Sequence, residues 1–172
     1  MTRIHSAAIQ AAVFLTILAG ILGGLSSCSS RTQANTSQGN DSLVAYLERT
    51  PCFGRCPWYT IHVYKSGFAV YEGKRDAPRT GKFSARISQQ QLESIGKKAT
   101  ELGFFELQDE YRNERLTDFP TVYVEVRYKG KRKAITHYDA NPPAALTAME
   151  DYIDKVFENT DWQKLPDPKQ ME

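Results

Sequence analysis

The sequence is short of the features that usually declare a function. Lys and Arg number 22 against 20 Asp and Glu, a formal net charge of +2. A balance that close excludes a dedicated nucleic-acid binder, because such domains concentrate positive charge. There is no Gly-x-Ser-x-Gly elbow and no Gly-rich phosphate loop, so the local signatures of two large enzyme groups are missing. No internal repeat is visible. Three cysteines are present, and of three histidines neither His62 nor His137 sits in the local spacing of a metal site; no motif calls for a cofactor. Disorder is excluded from the other side, since the chain is 41% hydrophobic and 11% aromatic. At 172 residues it suits one domain with room for tails.

The one long hydrophobic run is N-terminal. Arg3 supplies a short positive start, an apolar stretch follows from about Ala11 to Leu22, and small residues close it: Gly23-Gly24-Leu25-Ser26-Ser27-Cys28. This is the pattern of an export signal over residues 1–27, and it is short for a spanning helix, which needs ~20 apolar residues. Leu25-Ser26-Ser27-Cys28 resembles the lipobox of bacterial lipoproteins. That resemblance implies cleavage before Cys28 and palmitate-type acylation of it, hence a membrane partner through the lipid anchor. Ser29 is not the aspartate that retains Gram-negative lipoproteins at the inner membrane, so the resemblance implies the outer membrane. Residues 28–40 hold no large apolar side chain and are expected to form a flexible tether with a reach of roughly 20 Å.

The folded part is expected over residues 41–162, followed by a polar tail, 163–172, that carries Pro166 and Pro168. Alternation of period two predicts strands at 43–49, 58–64, 68–73 and 81–87, then 122–128 and about 133–138 with a turn at Gly130. Ser88 and Gln91 fit a capping box for a helix that aligns Leu92, Ile95, Ala99 and Leu102, with Gly103 placed to end it. Asn141 and Pro142 read as an N-cap and a first helical residue. The helix they open carries Leu146, Met149, Ile153, Val156 and Phe157 on one stripe. Together these predict an α+β domain: a single antiparallel sheet of five or six strands with two helices on one face.

The densest local signal is Cys52-Phe53-Gly54-Arg55-Cys56-Pro57. An exported chain matures in an oxidising compartment, so Cys52 and Cys56 are expected to pair. A redox-active thiol pair is the sharper alternative, although such pairs usually have two intervening residues at a helix N-terminus; metal ligation by the two is a third. From Glu48 through Tyr59, then Gly67, Tyr71-Glu72-Gly73, Phe104-Phe105, Thr117-Asp118 and Trp162, the chain resembles the bacterial family called domain of unknown function 6438. The family has no assigned reaction. The resemblance therefore implies domain limits and an envelope setting and adds no mechanism.

Two further segments could contact a ligand. The polar connection 106–119 contains Asp109, Glu110, Glu114 and Asp118, and Asp118 sits at a strand entrance. Lys131, Arg132 and Lys133 make a basic hairpin tip that is either solvated or rests on anionic headgroups. His62 and His137 fall on strands and read as ordinary strand-face histidines. The expectation is a non-catalytic envelope lipoprotein whose domain binds an envelope protein or a cell-wall partner. The alternatives are an enzyme, thiol-redox through Cys52 and Cys56 or hydrolytic through Asp118, and an inhibitor or regulator of a periplasmic enzyme.

Overall fold

The computed structural model describes residues 41–167. The expected signal at 1–27, Cys28, the rest of the tether and residues 168–172 lie outside the described residues. The elements in chain order are β1 (Leu43–Arg49), β2 (Tyr59–Tyr64), β3 (Phe68–Gly73), β4 (Gly81–Arg86), α1 (Gln89–Glu101), β5 (Glu110–Arg112), β6 (Val122–Tyr128), β7 (Lys131–Tyr138), α2 (Ala144–Glu158) and β8 (Gln163–Lys164). All strands join one sheet in the order β5-β7-β6-β1-β2-β3-β4-β8.

Register decides which face is covered. Leu47 lies opposite both Ile61 and Val124, Val124 opposite Ile135, and Ile61 opposite Tyr71. Because side chains alternate along a strand, these residues share one face, and they form one buried cluster with Ile95, Ala99, Leu146, Met149, Ile153 and Phe157 of the two helices. Their strand neighbours Tyr46, Glu48, His62, Tyr123 and Glu125 occupy the other face and keep partial contact with solvent. Helix α1 comes close enough to β6 that the Tyr128 ring rests on Gly96, where a Cβ would stand 2.1 Å from the ring.

The sheet departs from expectation in two ways: it has eight strands among the described residues, and it is mixed. Strand β5, within the expected polar connection, pairs parallel with β7, and β8, beyond Trp162, pairs with the edge of β4. Segments of three and two residues are too short to display an alternation, so neither was legible as a strand.

Helix α1 is capped as expected: Ser88 accepts from the Gln91 backbone while the Gln91 side chain accepts from the Ser88 backbone. Gly103 follows in the left-handed region at φ 65°. Helix α2 begins later than expected, at Ala144, with Pro143 at the cap position and no side-chain cap. The cause is the Pro142-Pro143 pair: a residue before proline is driven out of the helical region, so Pro142 cannot open the helix. Strand β7 begins at Lys131, two residues early, because Lys129 (φ 47°) and Gly130 (φ 79°) make a two-residue hairpin turn.

Candidate functional site

One end of the sheet gathers most of the unusual chemistry. Strands β1, β3 and β7 finish there and β2 and β6 start there, so Arg49, Tyr59, Gly73, Val122 and His137 are neighbours by register. The loop between β1 and β2 is closed by a disulfide between Cys52 and Cys56, whose Cα atoms are 5.5 Å apart. The Arg75 guanidinium donates to the Cys52 carbonyl at 3.0 Å, and beneath the loop the Trp58 amide donates to Arg75 O while the Lys74 amide donates to Trp58 O, which continues the β2–β3 pairing. On the other side the Thr50 amide donates to Thr121 O, while Thr50 Oγ1 accepts from the Thr121 amide. A ring of ~5 residues closed by a disulfide contributes about 2 kcal/mol in the chain-entropy model. Its larger effect is to hold Phe53, which is 90% exposed, at the tip. The Arg55 side chain beside it is 93% exposed. Cys56 leads through Pro57 into a strand rather than a helix N-terminus, so no helix dipole favours a thiolate there.

Beneath the loop lies a polar network on the covered face. Arg49 donates to Asp154 Oδ2 through Nε at 3.1 Å and through its terminal nitrogen at 2.8 Å. Tyr59 Oη donates to Asp154 Oδ1 at 2.6 Å and accepts from Arg49 Nε at 3.0 Å. Glu150, one turn earlier on α2, is 3.8 Å from Arg49 and 2.9 Å from His137 Nδ1. The second ring nitrogen of His137 is 2.8 Å from the carbonyl of Asp139. Both partners of His137 are acceptors, so the doubly protonated ring suits both. The Glu150 contact accordingly raises the His137 pKa, against the opposing effect of burial. Burial, reinforced by Asp154, likewise raises the Tyr59 hydroxyl.

Next to this network a groove of about 520 Å³ runs between α2 and the loop joining β3 to β4. Tyr59, Ile61 and Tyr71 floor it, with Pro78 and Arg79 on one wall and Asp151 and Asp154 on the other. Its volume is within the usual range for ligand clefts. The Tyr71 ring packs between Tyr59 and Trp162, and its buried hydroxyl makes no hydrogen bond among the described residues. Burial raises the Tyr71 pKa, and the Arg79 backbone opposes that.

The family model described as Domain of unknown function (DUF6438) matches residues 44–157. The chain belongs to this family. No curated protein matches it. The match runs from β1 to the end of α2 and takes in the clipped loop, the Arg49 network and most of the groove, while Trp162 lies beyond it.

Within this DUF6438 domain the residues singled out from sequence are dispersed. Asp118 stands exposed in a left-handed turn (φ 60°) before β6 and makes no hydrogen bond or ion pair among the described residues. It is joined neither to the cysteines nor to His137. Lys131 pairs with Glu106 at 3.3 Å, Arg132 with both oxygens of Glu125, and Lys133 with Asp109 at 2.6 Å. The basic tip is therefore matched by acids that folding brings alongside it. Burial would raise Glu125, but hydrogen bonds from Arg132 and Arg127 hold it below the ordinary carboxylate value.

His62 lies on the uncovered face against the Tyr46 ring, and burial lowers its pKa. His137 is no ordinary strand-face residue, because it is buried against Glu150. One signal could have exposed this: Glu150 falls in the apolar stripe of α2, between Leu146, Met149, Ile153 and Phe157, at a slot where a carboxylate needs a partner. Among the described residues no three His, Cys, Asp or Glu side chains are grouped to hold a metal, and no helix is long and apolar enough to cross a membrane.

Proposed function

We propose that this protein is a lipid-anchored domain of the bacterial cell envelope, at the outer membrane, that binds an envelope protein or cell-wall component without converting it chemically. The observation that carries the reading is Phe53, 90% exposed at the tip of a disulfide-closed loop. Among the described residues the other exposed large hydrophobic side chain, Tyr123, is only 39% exposed. A preformed ring also lowers the ordering cost of association. Phe53, Arg55 and Trp58 are the kinds of side chain that anchor interfaces, and the groove beside α2 offers a second concave contact. The acid and base groups nearby are engaged with one another, as both nitrogens of His137 and both oxygens of Asp154 have internal partners. That supports binding over turnover.

The anchor is read from Leu25-Ser26-Ser27-Cys28. Two or three acyl chains at about 0.8 kcal/mol per buried methylene give stable attachment, where one chain is marginal. Cells fed labelled palmitate should label the wild type and leave Cys28→Ala unlabelled and released from the membrane fraction. Label that survives the substitution would contradict the anchor.

The partner is tested by crosslinking and capture from envelope fractions. Phe53→Ser, at equal expression and with an unchanged melting temperature, should weaken capture about 30-fold, the scale of losing one anchoring aromatic. Undiminished capture would exclude the loop as the contact.

A further inference from the structure

The opposite end of the sheet is also distinctive, and the chain enters the domain there. Asp41, the first described residue, accepts from the backbone and hydroxyl of Ser66, and Lys65 N donates to Ser42 O. The start of β1 is thereby fixed beside the β2–β3 turn. Antiparallel register adds two more segments: Ala45 opposite Val126 sets the Lys129-Gly130 turn at this end, and Phe68 opposite Arg86 adds the last residue of β4. Lys65, Arg86 and Lys129 are exposed, and none has a carboxylate partner among the described residues. Arg86 lies 5.8 Å from the Phe68 ring and Lys129 5.2 Å from the Tyr128 ring, with Tyr64 stacked on Phe68. Two carboxylates at this end keep their charge, Asp41 accepting from Ser66 and Glu93 from the Tyr128 hydroxyl, but neither forms an ion pair with Lys65, Arg86 or Lys129. Arg132 and Lys133, farther along β7, are neutralised by their own carboxylates. Cations free of ion pairs, two of them laid over aromatic rings, are the composition that suits a membrane–water interface.

We propose that this end of the domain seats on an anionic phospholipid surface through Lys65, Arg86 and Lys129, which turns the clipped loop and groove away from the bilayer. The inference rests on the lipid anchor, because it is the tether to Asp41 that would deliver this end to the membrane. Each cation near such a surface strengthens attachment about fivefold, so three together are enough to orient a domain already held within a tether's reach.

The test uses the full-length protein purified from membranes, mixed with vesicles of phosphatidylcholine alone or with phosphatidylglycerol added. Floated complexes are examined by hydrogen exchange. Amides of residues 63–69 and 126–131 should exchange about tenfold more slowly or better on the anionic vesicles. The protection should vanish in ~1 M salt, where the screening length is about 3 Å, and in the triple variant Lys65→Glu, Arg86→Glu, Lys129→Glu. All three positions are exposed, so the fold should survive, and an unchanged melting temperature verifies it. Equal exchange on both vesicle types overturns the seat and leaves the anchor standing. Flotation with phosphatidylglycerol vesicles alone supports the seat and overturns the anchor; flotation with neither overturns both.

Discussion

Gly73→Ala should cost about 3 kcal/mol or more of folding stability and abolish partner capture with it. A Cβ at this position would stand 1.7 Å from Arg79 O and 2.7 Å from the Tyr71 ring. The first of these atoms is backbone, so no rotamer change relieves the clash, and overpacking of this kind ranks with the most damaging single substitutions. The loop from Lys74 to Thr80 would have to lift from the sheet. That loop contributes Pro78 and Arg79 to the groove wall and Arg75 to the clipped ring. Gly130→Ala is the control, since a Cβ there meets nothing within 4 Å. It strains only a left-handed turn at φ 79°, at about 1–2 kcal/mol. Thermal unfolding measures both, and a Gly73→Ala protein that melts with the wild type would contradict the close approach of this loop.

Glu150→Ala should destabilise the domain by about 3–5 kcal/mol, the scale of stripping one partner from a buried ion pair. Its carboxylate stands between the His137 ring and the Arg49 guanidinium. Without it the buried His137 ring loses the acceptor that favours its cation, and Arg49 loses one of its carboxylates. The pH dependence carries the sharper signature. Contact with Glu150 raises the His137 pKa in the folded protein, while the unfolded chain keeps the ordinary value of about 6.5. The pair therefore contributes its full stability below about pH 6.5 and loses it as pH rises through the higher folded value. Urea unfolding across this range should show the wild type losing more stability with rising pH than Glu150→Ala does. Parallel profiles would mean that His137 is not held as a cation by Glu150.

The parts of the fold legible in the sequence are those that repeat a local rule over several residues. Alternation in β1, β3 and β6 placed them at Leu43–Arg49, Phe68–Gly73 and Val122–Tyr128, and the Ser88–Gln91 box placed the start of α1. Strands β5 and β8 were invisible because their pairing is set by β7 and β4, not by a pattern of their own. Asn141 was misread as a helix cap because the effect of Pro143 on Pro142 outweighs the local preference for asparagine.

Among site residues, the pairing of Cys52 with Cys56 was legible from their spacing and from the expectation of export. The network of Arg49, Tyr59, His137, Glu150 and Asp154 spans more than 100 positions, as the Arg49–Asp154 separation of 105 shows. No short window contains it, and only the carboxylate inside the α2 stripe hinted at a buried partner. Lys131, Arg132 and Lys133 looked like a free basic tip because Glu106, Asp109 and Glu125 come alongside only on folding. Lys65, Arg86 and Lys129, which form no ion pair among the described residues, come from three separate turns and strand ends and make no cluster in the sequence.

A partner held at the end of the sheet that displays Phe53 should be within reach of a crosslinker placed there. The most direct measurement installs a photoreactive side chain in living cells in place of Arg55, next to that tip, or in place of Lys97, exposed on α1. Irradiation should give one adduct of defined mass from position 55, absent when Phe53→Ser is added, and no matching adduct from position 97. An adduct from position 97 with none from position 55 would contradict binding through the Phe53 end of the sheet.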